Sequence, residues 1–384
     1  KDTQIRFAEI NGDGHLDLLQ EKDNKWQKHL GTSVGQPRHV INKITNGFGV
    51  STEIQYASLM TSDVYTSEVT PYADPTKYPD SLDNVKNHHI FSPKGGMYVV
   101  RAVSSDTGAT TSTSVGYQYS GALINKLGRG NLGFYSLKTT DNATCDTSVS
   151  FERELDINGE LIELGPVVTI DNCVTTETFY SQEYPYVGMP IRTVKKRGTD
   201  VFSESSNDLE FKTTADGAIH PYIKSSAETS HSFNDTFTTK YLLNHTFSEF
   251  TYDTYGNLTN SGVYVSNSSN PKTASNRHQT ITTNDYTTSA TNKRKGRLFT
   301  VDTEKKVYVG GVVKSDISRD SKFEYYAANS SAPMMLKKEI VSPDNNAFKT
   351  TKEYQYDEWG NKSKETLTSP AFIGSRYTET NYDD

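Results

Sequence analysis

The chain has 384 residues, a formal net charge of −7 and 33% hydrophobic residues, with 24 Tyr and 16 Phe. Its pI near 5.8 argues against a general nucleic-acid binder, which needs a basic footprint, and no apolar run is long enough to span a bilayer. The mean hydropathy of −0.68 points towards disorder, but an aromatic fraction of 11% points to a folded chain of strands. Aromatic and β-branched residues favour pleated sheet, while Asn, Asp, Gly and Ser supply its turns.

Residues 1–31 read as strand, acidic loop, strand: Ile5 and Phe7 alternate before the loop, and Leu16, Leu18 and Leu19 resume the apolar pattern after it. Val40 to Ile44 and Val50 to Tyr56 flank Asn46-Gly47-Phe48-Gly49, which predicts a hairpin. Residues 61–96 carry Pro71, Pro75, Pro79 and Pro93 and read as a long irregular insertion. Strands return at Tyr98 to Val103 and Ser114 to Tyr119. The glycines of Gly128-Arg129-Gly130-Asn131-Leu132-Gly133-Phe134 permit tight turns but lack the strand–turn–helix setting of a phosphate loop. Further strands are predicted over 149–155, 161–170, 174–180, 191–196, 207–213 and 219–229. From 235 onward the chain reads as a string of hairpins with a Ser/Asn-rich loop at 266–279. Only 327–339 suggests a short helix, interrupted by Pro333.

Two signatures stand out in this last region. Phe250-Thr251-Tyr252-Asp253-Thr254-Tyr255-Gly256-Asn257-Leu258 and Tyr354-Gln355-Tyr356-Asp357-Glu358-Trp359-Gly360-Asn361-Lys362 share one pattern. Aromatic residues alternate on one strand face, an Asp opens a turn with its side chain, and a Gly takes the positive φ that closes it. Such units build sheet and carry no chemistry of their own.

The strongest site signal is Glu9-Ile10-Asn11-Gly12-Asp13-Gly14-His15-Leu16-Asp17. Calcium takes six to eight hard oxygen ligands, which a loop supplies from alternating positions while Gly allows the bend. Side-chain oxygens of Glu9, Asn11, Asp13 and Asp17 and the His15 carbonyl are the candidate Ca2+ ligands, in a structural role. The loop lacks the twelfth-position Glu and the flanking helices of an EF-hand, and an Asx-rich turn without an ion is the competing reading.

Other clusters offer less. His88-His89 with Asp80 and Asp83 lie in the Pro-rich insertion and read as surface polar residues, and no Gly-x-Ser-x-Gly or His-Glu-x-x-His motif occurs. Lys293-Arg294-Lys295-Gly296-Arg297 reads as a solvated hairpin tip. Trp26 and Trp359 read as strand packing rather than stacking platforms for sugars. Cys145 and Cys173 flank a candidate long hairpin; pairing needs their Cα atoms within about 7 Å, and the sequence leaves both states open.

Glu9 to Asp17 resembles the calcium loop of FG-GAP repeats, which form β-propeller blades. Ile44-Thr45-Asn46-Gly47-Phe48-Gly49 with Thr52-Glu53-Ile54-Gln55-Tyr56 resembles the segment that follows the propeller in the SpvB/TcdB-like family. Arg101-Ala102-Val103, Tyr117-Gln118-Tyr119 and Gly128 to Phe134 extend that match in order, and the two signatures resemble the YD repeats of Rhs proteins. The resemblance implies an all-β chain: an extended repetitive antiparallel sheet of Rhs/YD-repeat shell type with an N-terminal propeller-blade remnant. Its expected parts are a blade remnant at 1–35, a SpvB/TcdB-like middle β region at 36–235 and YD-type hairpins at 236–384. It further implies a non-catalytic segment of a secreted or cell-surface toxin-complex or Rhs-type virulence shell that encloses or delivers a toxic polypeptide. Partners would be other segments of the shell or a toxin-complex subunit. The alternative is an adhesin-like β module that binds a glycan or a cell-surface protein.

Overall fold

The computed structural model describes residues 4–8, 10, 16–22, 25–31, 40–67, 90–93, 97–106, 112–155, 161–214, 216–234, 239–286, 296–327, 329–371 and 374–382. Among them the regular structure is twenty-seven strands and a single 3-10 turn at Asn142–Thr144. The chain divides into two compact units, one of residues 1–205 and 234–239, the other of residues 206–233 and 240–384.

The first unit opens with a three-stranded antiparallel sheet, β1 (Ile5–Ala8), β2 (Asp17–Lys22) and β3 (Lys25–His29), with Ala8 opposite Asp17 and Leu18 opposite both Phe7 and His29. A propeller blade has four strands; three are described here, and no propeller is seen among the described residues. The predicted hairpin about Asn46 is present as β4 (Lys43–Thr45) and β5 (Ser51–Ser58). From β5 an antiparallel ladder runs through β8 (Tyr98–Asp106), β9 (Ser112–Ser120), β12 (Ser136–Asp141), β15 (Val174–Tyr180) and β16 (Pro190–Arg197). Described parts of the 61–96 insertion hold two short strands. β6 (Tyr65–Thr66) runs parallel to β9, and β7 (Ile90–Phe91) joins β10 (Leu123–Asn125) and β11 (Gly130–Gly133).

A small core of Leu59, Tyr65 and Ala122, packed by Val99, Tyr119 and Phe134, lies between these pieces. Gly128, Gly130 and Gly133 all take positive φ, as the turn reading of that segment requires. Gln182 ties the segment down by donating from Nε2 to the carbonyls of Gly121 (2.8 Å) and Gly133 (2.9 Å).

β13 (Asp146–Leu155) and β14 (Leu161–Asp171) form a separate two-stranded arm. Cys145 and Cys173 close its base as a disulfide, which settles the question the sequence left open. Arg197 fastens the same base, donating to the carbonyls of Asn172 (2.7 Å) and Thr144 (2.6 Å). β17 (Asp200–Thr213) contains the division between the units.

The second unit is one antiparallel meander in which each strand pairs with the next. Its strands are β18 (Ile219–Phe233), β19 (Lys240–Tyr252), β20 (Leu258–Ser266), β21 (Arg277–Tyr286) and β22 (Leu298–Val309), followed by β23 (Val312–Tyr325), β24 (Leu336–Val341), β25 (Thr350–Tyr356), β26 (Lys362–Thr368) and β27 (Ser375–Glu379). The helix suggested over 327–339 is absent: the segment is a turn that leads into β24. Pro333 cannot continue a helix, and Met334 at φ +66° terminates one.

Candidate functional site: a seam of turns and tyrosines

The two signature turns have the same geometry. Asp253 Oδ1 accepts the N–H groups of Tyr255 (2.8 Å) and Asn257 (2.9 Å), and Oδ2 accepts from Asn257 Nδ2 (2.8 Å). Asp357 accepts the equivalent bonds from Trp359 (3.0 Å), Asn361 (2.8 Å) and Asn361 Nδ2 (3.0 Å). Gly256 and Gly360 sit at φ +85° and +88°, as expected. Burial pushes both carboxyls up, but the hydrogen bonds from Asn257 and Asn361 and from the turn N–H groups outweigh it, so both lie below the usual aspartate range.

Two further turns share this geometry: the hairpin predicted about Asn46, whose kinship with the signatures the sequence reading did not draw, and one at Thr214 that it missed. Asn46 Oδ1 accepts from Phe48 (2.9 Å) and Val50 (3.1 Å), with Gly49 at φ +82°. At Thr214, whose N–H bonds the Ala218 carbonyl and whose hydroxyl bonds Asp216, Gly217 takes φ +85°. The shared signal is an Asx or Thr three residues before a glycine that must be left-handed.

A second device links successive hairpins. Strands β19, β21, β23 and β25 all end in Tyr, namely Tyr252, Tyr286, Tyr325 and Tyr356. Each sits at a register shift and pairs through its backbone with the first residue of the next strand. The last three hydroxyls reach back to the first residue of the preceding strand: Tyr286 to the Leu258 carbonyl, Tyr325 to Leu298 and Tyr356 to Leu336, each at 2.9 Å. Tyr382 does the same to Lys362 at 3.3 Å. Backbone and side-chain links therefore alternate into a continuous seam from Leu258 to Tyr382. Only two of its junctions keep the Asp-x-x-Gly-Asn turn.

On the strands themselves, Tyr264 donates to Glu249 (3.0 Å) and Tyr354 to Glu339 (3.2 Å). Burial first, with the acceptor carboxylate added, pushes both phenols up to about 12. Gly262 gives Tyr264 its place, since a Cβ there would stand 2.9 Å from the phenolic oxygen.

Of the predicted metal ligands, Glu9, Asn11, Asp13 and His15 lie outside the described residues. Asp17 is fully buried at the start of β2, and its two oxygens accept the N–H groups of Ile10 and Gly31, both at 2.8 Å. Asp80, Asp83, His88 and His89 and the run Lys293 to Lys295 also lie outside the described residues. Among the described residues no group of three or more His, Cys, Asp or Glu gathers to hold a metal. No helix there is long and apolar enough to cross a membrane.

The tryptophans correct the expectation of strand packing: Trp26 is 49% and Trp359 68% exposed. Trp359 stands at a turn apex, where its N–H is used and its ring has no layer to enter. Tyr255 and Phe48 occupy the same turn position and are also exposed.

Comparison with known proteins adds two findings. Residues 1–153 match the family described as the insecticide toxin TcdB middle/N-terminal region. The fold over 97% of the chain superposes on a solved structure titled "Crystal Structure of TcdB2-TccC3-Cdc42", with a TM-score of 0.54 and 8% identity. The chain spans 23% of that protein's length. A porin-like protein from Bacteroides uniformis ATCC 8492 aligns over 73% of the chain and 91% of its own, at 13% identity and a TM-score of 0.27, too slight for a fold argument. No curated protein matches. Sequence relates the first 153 residues to the TcdB toxin family, and over nearly all of the chain the fold resembles that of the TcdB2-TccC3-Cdc42 structure.

Proposed function

We propose that this chain is a non-catalytic structural segment of a secreted bacterial toxin-complex or Rhs-type shell that encloses or delivers a toxic polypeptide. The observation that carries the proposal is the tyrosine seam. It joins strand to strand by one repeated device, as a wall requires, and it accompanies the TcdB-related sequence and fold. The disulfide adds support for an oxidising, extracellular setting. Cryo-electron microscopy of the assembly containing this chain, with protease digestion of the toxic polypeptide, tests the reading. An enclosed polypeptide resists protease until the sheet is disrupted; one that is cut as fast as the free form removes the proposal.

The acidic loop belongs to the same proposal as a structural Ca2+ site. Its ligands are the side chains of Glu9, Asn11, Asp13 and Asp17 and the carbonyl of His15. The hard-oxygen pattern, with Gly12 and Gly14 to allow the bend, supports it. The melting midpoint should rise with Ca2+ over a chelator, and Asp13→Ala should abolish that rise. No difference in the unsubstituted chain makes the loop a turn only.

A further inference from the structure

The first unit carries a concave polar groove of 530 Å³, within the range of about 300–1,000 Å³ usual for small-ligand sites. Its floor is one face of the ladder β9–β12–β15–β16. Thr140 lies opposite Gly116 and Thr175, Lys138 opposite Gln118, and Lys196 opposite Thr175. Directly opposed residues share a face, so these six meet on one surface. Gly116 leaves a hollow in the floor, because it has no side chain and the nearest atom to a Cβ there would be Thr140 Cβ, 3.9 Å away. The disulfide-clamped base of the arm, with Asn142 and Asn172, forms one end; Asp63, paired with Arg101 at 2.9 Å, forms the other.

Charge is uneven along the groove. Several lysines of the sheet are matched with acids, as in Lys43–Glu53 (3.0 Å), Lys272–Glu249 (2.6 Å), Lys338–Glu353 (2.5 Å) and Lys364–Glu379 (2.5 Å). Lys138 and Lys196 have no such partner among the described residues. Glu177, which faces Lys138 across the ladder, accepts the Ser136 hydroxyl at 3.0 Å instead. Asp63 is already engaged by Arg101. The half-buried Lys138 and Lys196 thus share one face with no ion pair among the described residues, beside Thr140 and Asn172, whose side chains take no hydrogen bond there either.

We propose that this groove binds an acidic saccharide, with a uronate-type carboxylate held by Lys138 and Lys196. The sugar hydroxyls would exchange hydrogen bonds with Thr140, Thr175 and Asn172. The hydroxyls of Thr140 and Thr175 and the amides of Gln118, Asn142 and Asn172 give the groove partners for several sugar hydroxyls at once, which favours a sugar over an acidic peptide.

Calorimetry on the 384-residue chain tests this with trigalacturonic acid, its neutral galactose counterpart and triglutamate as probes. Lys138→Met and Lys196→Met keep the aliphatic stems and remove only the charges, and Gly116→Val fills the hollow while leaving both charges. An unchanged melting midpoint confirms that each variant is folded. Trigalacturonic acid should bind, more weakly as salt rises, and each lysine substitution should weaken it about tenfold. Gly116→Val should weaken it too, and the neutral sugar should give no heat. Absence of trigalacturonate binding, equal binding of the neutral sugar or of triglutamate, or full binding by the double lysine variant would overturn the proposal.

Discussion

At the scale of single residues, the turn glycines and the glutamate-bonded tyrosines govern stability for different reasons. Valine at 256 or 360 forces a β-branched residue into the left-handed region and should cost more than about 1 kcal/mol. The two sites should differ. A Cβ at 256 would lie 3.2 Å from the His220 ring, whereas at 360 the nearest atom is Met335 Cε at 3.6 Å. Thermal melting of the two variants should therefore show the larger loss for Gly256→Val; absent losses would remove the turn assignment, and equal losses the added His220 clash. Tyr264 and Tyr354 bind their protons more tightly when folded, at about 12 against the ordinary tyrosine value of 10.0. Their contribution is fully present below pH 10 and is lost as pH rises towards 12, because the unfolded chain ionises first. A melting series from pH 9 to 12 should fall steeply in the parent, and Tyr264→Phe should flatten that fall. The glycines were legible because a positive-φ turn leaves few alternatives. The Glu–Tyr contacts were not, since they join residues 15 apart whose register only the folded sheet fixes.

At the scale of elements, strand existence could be read almost throughout: the predicted spans 161–170 and 174–180 are Leu161–Asp171 and Val174–Tyr180. Period-2 alternation survives wherever one face is covered. The hairpin repeat could be read only where Asp, Gly and Asn remain. Tyr286 and Tyr325 mark the same junction without that turn, so the visible periodicity skipped two members. A Tyr at a strand end followed by a Leu that opens the next strand was the fainter signal present at all but the last junction. The disulfide belongs to this scale as well. Cys145 and Cys173 are 28 residues apart in sequence, and closing a loop of that size stabilises by about 3.6 kcal/mol in the chain-entropy account. Because the arm pairs only with itself, that stabilisation is local. In Cys145→Ser/Cys173→Ser, limited proteolysis should cut within residues 146–171 while the strands from β18 onward stay resistant. Simultaneous loss of both regions would show that the arm is not an independent element.

At the scale of the whole molecule, the resemblance to toxin-shell proteins was legible because the motifs are ordered along the chain, while the seam that makes a wall plausible became visible only in the folded sheet. That seam also sets a unit of length. At Tyr286, Tyr325 and Tyr356 the hydroxyl closes the open end of its own hairpin and the backbone begins the next hairpin, so this part of the sheet cannot change by one strand without leaving a tyrosine facing the wrong edge. It can grow or shrink only two strands at a time. Removing residues 258–297 joins Asn257 to Leu298, restores the signature turn and still offers the Leu298 carbonyl to Tyr325. That variant should melt in a single cooperative transition, whereas removing 258–276, one strand and its loop, should broaden or abolish it. Insertions tolerated by this stretch of sheet are accordingly whole hairpins.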